Sequence, residues 1–100
     1  MKVQELIEKV NSDDRCYNIY DAENMIDGEY ECVADNIDID EHRWYKISTS
    51  VYKLEDGYVG IRGVSRLFSE MMTWSDADVH CEAEEYEQCV QITYKLKPKS

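Results

Sequence analysis

The sequence predicts an α+β fold, an N-terminal helix packed on an antiparallel sheet of four or five strands. Three observations carry this. Val3, Leu6, Ile7 and Val10 recur at i, i+3, i+4 and i+7, the apolar stripe of one helix face. Trp44 to Leu54 alternates, with Tyr45, Ile47, Thr49 and Val51 on one side and Trp44, Lys46, Ser48, Ser50, Tyr52 and Leu54 on the other. Glu55-Asp56-Gly57 then turns the chain into a returning run, Tyr58 to Val64, and Asp-Gly between alternating segments marks a hairpin.

The other elements follow in order. Residues 2–11 form the helix, with Lys2, Glu5, Glu8 and Lys9 off its apolar stripe, and Asn11-Ser12-Asp13-Asp14 ends it. A helix this short is unstable alone and must pack on the sheet. Cys16 to Tyr20 is aromatic and β-branched and reads as a strand; Asp21 to Gly28 reads as a loop. Tyr30, Cys32 and Ala34 alternate with Glu29, Glu31, Val33 and Asp35, as in a strand with one wet face. Gly60 and Gly63 in the returning hairpin strand mark a bulge or a close backbone approach. Ser65 caps a short helical turn over 66–72, or the segment is extended. Thr73 to Asp78 reads as a loop. Val79 to Glu87 is divided: its acids favour helix, while Val79, Cys81 and Ala83 alternate as in a strand. Cys89 to Lys97 reads as a strand, with Val90, Ile92, Tyr94 and Leu96 on one side.

Length and composition set the class. The 100 residues make one domain, 1–100, and 43% hydrophobic residues are too many for a disordered chain. No apolar run approaches the roughly 18 residues needed to span a bilayer. Met1-Lys2-Val3-Gln4-Glu5 lacks the apolar core of a signal peptide, so the expected location is the cytoplasm. Asp and Glu number 22 against 11 Lys and Arg, a net charge of −11, which argues against direct binding to nucleic acid.

Site chemistry is sparse. Cys16, Cys32, Cys81 and Cys89 form no Cys-x-x-Cys pair and read as reduced, buried apolar thiols rather than a zinc site built on His80 and Cys81. Residues 35–41 carry acids at intervals but lack the order, glycine and terminal bidentate glutamate of a calcium loop. His42 and His80 accompany no nucleophile motif, and no phosphate-binding glycine loop is present, so neither catalysis, cofactor nor metal is expected. Met71, Met72 and Trp74 read as an edge of the core.

The informative feature is segregated charge. Residues 13–41 hold eleven acids and one base, Arg15; residues 70–87 hold seven acids and neither Lys nor Arg. Acids recur two apart, as at Asp38/Asp40, Asp76/Asp78, Glu82/Glu84 and Glu85/Glu87. On a strand such residues point the same way about 6.6 Å apart, twice the rise per residue. That spacing is close to successive phosphates along one nucleic-acid strand. A row of such carboxylates fits a basic cleft and releases its own repulsion on binding. A solvated strand face gives the same pattern. The candidate contact rows are Asp38, Asp40 and Glu41, then Asp76, Asp78, Glu82, Glu84, Glu85 and Glu87. Tyr86 lies within the second row, and tyrosine brings interface area at low entropic cost.

The opening, Met1 to Val10 followed by Tyr17-Asn18-Ile19-Tyr20, resembles small anti-CRISPR proteins encoded by phages and prophages of Gram-positive bacteria. Some of these block Cas9 with an acidic face placed where protospacer-adjacent DNA docks. The Trp44 to Val64 hairpin and the Cys89 to Leu96 strand also resemble small prophage proteins of gut bacteria. The resemblance implies a phage-encoded, non-catalytic DNA mimic whose partner is a basic nucleic-acid-binding protein, a CRISPR-Cas effector. The alternative is an acidic phage interaction domain without mimicry, one form of it a homodimer joined at a sheet edge such as Trp44–Leu54.

Overall fold

A computed structural model describes residues 1–89 and 93–97. The chain order is α1 (Val3–Asn11), α2 (Ile19–Glu23), β1 (Glu31–Glu41), β2 (Tyr45–Leu54), β3 (Gly57–Leu67), a 3₁₀ turn (Trp74–Ala77), β4 (Glu82–Cys89) and β5 (Thr93–Leu96). The strands form one antiparallel sheet in the order β1-β2-β3-β4-β5, so the expected α+β architecture is present, with five strands.

The apolar stripe builds α1 and buries Val3, Leu6 and Val10. Both ends of α1 are tied to the sheet. The Val3 amide, one of the orphan donors of a helix start, donates to Asp56 Oδ1 at 2.9 Å in the β2–β3 turn, where a carboxylate also complements the helix dipole. Asn11 at the other end donates through Nδ2 to the Ala83 carbonyl at 3.0 Å and accepts the Ala83 amide at 2.8 Å. The core between the layers joins these helix residues to Cys16, Ala22, Ile26, Tyr52, Leu54, Val59, Ile61, Cys81 and Ala83.

The sequence reading needs correction at several elements. Cys16 to Tyr20 is not a strand. The Asn18 side chain caps a helix instead, accepting the Asp21 amide at 2.9 Å, so helix starts at Ile19 inside the expected loop; only Asn18 bridges Val64. β1 runs on through the acidic segment to Glu41, with three register shifts and with Asn36 and Asp38 at φ +51°, a region Asn and Asp tolerate. Residues 65–67 are extended, because Lys46↔Arg66 and Tyr45↔Leu67 lengthen the hairpin ladder. Thr73 and Asp76 form a capping box that turns 74–77 into 3₁₀ helix.

Residues 82–89 are strand. Pairing to β3 and burial of Ala83 override the helical preference of the acids. Gly60 and Gly63 of β3 serve close approach: a Cβ at Gly63 would stand 2.5 Å from Cys81 Sγ, and one at Gly60 would strike the Tyr86 ring. The expected strand 89–97 is two strands, with Cys89 closing β4 opposite Thr93; Val90, Gln91 and Ile92 lie outside the described residues.

Two side-chain expectations also change. Cys32 is exposed on β1 while Cys16 and Cys81 are buried. Met71 is 94% exposed, so it is no part of a core edge. β2 lies inside the sheet between β1 and β3, which removes it as an edge for self-pairing. Among the described residues no helix is long and apolar enough to cross a membrane.

Candidate protein-binding surface

Strand alternation divides the acids of β4. Glu82, Glu84 and Tyr86 lie on the sheet face turned away from α1, since Ala83 between them is in the core on the α1 side. Glu82 stands opposite Arg62 and Glu84 opposite Gly60. The Tyr86 ring takes the space left by the missing Gly60 side chain, where a Cβ would stand 2.7 Å from its Cζ. Gly60, Arg62, Glu82, Glu84 and Tyr86 line a shallow cleft of about 190 Å³.

Arg62 organises this face. Its Nη1 reaches across β2, donating to Thr49 Oγ1 at 3.2 Å and to the Asp38 carbonyl of β1 at 2.6 Å. The positive φ of Asp38 turns that carbonyl out of the regular ladder. Asp38 therefore joins Glu82, Glu84 and Tyr86 around one guanidinium, although 44 residues separate it from Glu82 in the chain. The Tyr86 phenol is pushed up by burial first, then by the Asp38 and Glu84 charges; the nearby Thr49 hydroxyl and the Arg62 charge oppose this.

The remaining candidates lie elsewhere. Asp40 and Glu41 end β1 and are exposed; Asp40 Oδ2 is 3.1 Å from His42 Nε2, and the His42 ring stacks on Tyr45 at 4.5 Å. Asp76 accepts the Thr73 amide at 2.8 Å within its capping box. It borders a depression shared with Trp44, Ser69, Met71 and Met72. Asp78 follows in the left-handed region at φ +52° and is exposed. Glu85 takes the opposite face from Glu84 and accepts from Lys97 Nζ at 3.3 Å; Glu87 pairs across to Lys95 in the ladder. The ten residues thus form a face group, an end group and a pair beside β5, not one row.

Sequence reasoning missed the exposed aromatic side chains of the end group. Trp44 is 49% and Phe68 45% exposed, with the Arg43 guanidinium 4.7 Å from the Trp44 ring and that of Arg66 5.6 Å from the Phe68 ring. The alternation holds no signal for them, since a cation, Lys53, equally neighbours the buried Tyr52. Among the described residues no three His, Cys, Asp or Glu side chains gather closely enough to hold a metal ion. No family model, curated protein or solved structure matches the chain.

Proposed function

We propose that the chain is a non-catalytic inhibitor that mimics nucleic acid, its acidic sheet face filling the basic cleft of a nucleic-acid-binding protein. A phage origin and a CRISPR-Cas effector such as Cas9 as the partner class follow from the resemblance of the opening segment. One observation carries the reading: Glu82 and Glu84 line one cleft with a single arginine, whose Nη1 is engaged by the Asp38 carbonyl and the Thr49 hydroxyl, so acids outnumber bases on that face. Glu82 and Glu84 stand about 6.6 Å apart along β4. A cleft lined by Lys and Arg meets that spacing with charge-assisted hydrogen bonds, and association is fast and salt-sensitive.

The test is displacement of labelled duplex DNA from purified CRISPR effector complexes, at low and at physiological salt. Displacement from at least one effector, weakening as salt rises, supports the reading. No displacement from any of them at low salt refutes the choice of partner class.

The exposed Trp44, Phe68 and Met71 favour a second reading, an interaction domain without mimicry, since aromatic, Met and Arg side chains mark protein interfaces. Light scattering tests its homodimeric form. Replacement of Trp44 by Ala weakens partner binding on this reading and leaves DNA displacement unchanged on the first.

A further inference from the structure

Two cysteines far apart in sequence meet in the core. The Cys81 amide donates to the Cys16 carbonyl at 2.8 Å, which sets the two backbones side by side. A backbone bond of that length keeps the two Cα atoms within the roughly 4.4–6.8 Å that a disulfide spans. Both side chains lie in the same core cluster, and the Cys16 Sγ donates to the Asn18 carbonyl at 3.8 Å. Gly63 holds Cys81 in place, because its missing Cβ leaves the seat that Cys81 Sγ fills. Cys16 is 1% and Cys81 3% exposed, so neither meets bulk oxidant without a local opening.

We propose that Cys16 and Cys81 are an oxidation site, closing into an intrachain disulfide that staples the α1–α2 connection to the start of β4. The co-reactant is a small-molecule disulfide of the glutathione type. One protein thiolate attacks it, forming a mixed disulfide and expelling one small thiol. The second protein thiolate then attacks the protein sulfur of that mixed disulfide, forming the Cys16–Cys81 bond and expelling the second small thiol. Two protein thiols are oxidised, one small disulfide is reduced to two thiols, and two protons move to the leaving sulfurs. Burial pushes both thiols up, Cys81 further than Cys16, so the reaction accelerates with rising pH. The bridge encloses α2 and β1 to β3 in one covalent loop, long enough for a large stabilisation.

The test uses the wild-type chain and a Cys32→Ser, Cys89→Ser variant that keeps only the two core thiols. Each is incubated with oxidised glutathione in native buffer and in urea, then read by intact mass, non-reducing peptide mapping and thermal melting. Expected in native buffer is a monomer lighter by two hydrogens, a linked peptide pair containing Cys16 and Cys81, and a melting temperature higher by about 5 °C or more, reversed by dithiothreitol. The wild-type peptide map carries the test if the variant fails to fold. A stable glutathione adduct on one core thiol, disulfide-linked dimers without the intrachain bond, or a Cys16–Cys81 link formed only in urea overturns the proposal.

Discussion

Gly60 and Tyr86 make a contact whose energy can be isolated. A Cβ at position 60 would stand 2.7 Å from Tyr86 Cζ and closer to two more ring carbons, where ordinary contact begins near 3.4 Å. The ring has little room to swing away, because it lines the cleft beside Arg62, Glu82 and Glu84. Gly60→Ala therefore forces the ring or the β3–β4 ladder to shift, a cost of about 2 kcal/mol typical of overpacking. In a Tyr86→Ala background the clash is gone, and the same Gly60→Ala change is neutral or stabilises by about 0.5 kcal/mol, since alanine restricts the unfolded chain. The expected coupling between the two sites is about 2 to 2.5 kcal/mol, measured by urea unfolding of the four proteins at constant m. Effects that add to within about 0.5 kcal/mol would show that Tyr86 does not pack on Gly60, and the placement of Glu84 beside it would lose its support.

Asn11→Ala removes both hydrogen bonds to the Ala83 backbone, and urea unfolding should show a loss of about 2 kcal/mol; an unchanged midpoint would mean that α1 is not anchored there. Burial raises Cys81 above its ordinary 9.0 and Tyr52 above its ordinary 10.0, the latter with help from Glu23. The folded state thus keeps protons that the unfolded chain releases, so their contribution is complete below about pH 9 and declines as pH rises further; urea midpoints at about pH 8 and about pH 10.5 should show the fall. Raising sodium chloride from about 0.1 M to about 1 M cuts the screening length from about 10 Å to about 3 Å, below the Glu82–Glu84 spacing, and should raise the melting temperature; a decrease would mean that repulsion does not burden the fold.

Much of the fold was legible because periodicity reports burial. The stripe from Val3 to Val10 and the alternation from Trp44 to Leu54 each reflect one buried face, and both elements lie within two residues of expectation. What failed was local chemistry that competes with periodicity. Asn18 offers a cap that ends an extended run, and a reading of hydrophobicity does not register it. The capping box at Thr73 and Asp76 was likewise absent from the pattern of apolar residues. At the candidate surface, the i, i+2 spacing pairs Glu82 with Glu84, but the expected row also took in Glu85 and Glu87, which strand alternation turns to the opposite face. The spacing could not bring Asp38 to Glu82 and Glu84, because that meeting depends on strand order, on three register shifts in β1 and on the reach of Arg62 across β2. The proximity of Cys16 and Cys81 was invisible for the same reason, being set by a single long-range backbone bond.

The acidic face is tested most directly by charge reversal in the DNA-displacement titration. Glu82→Lys with Glu84→Lys reverses the two carboxylates beside Arg62, while Glu85→Lys on the opposite side of β4, where Lys97 already sits, serves as the control. The account predicts that the double variant remains folded and loses at least about tenfold in displacement, a change of about 1.4 kcal/mol, while the control keeps most of its potency. A folded double variant that displaces DNA as well as wild type, or a control that loses as much, would contradict it.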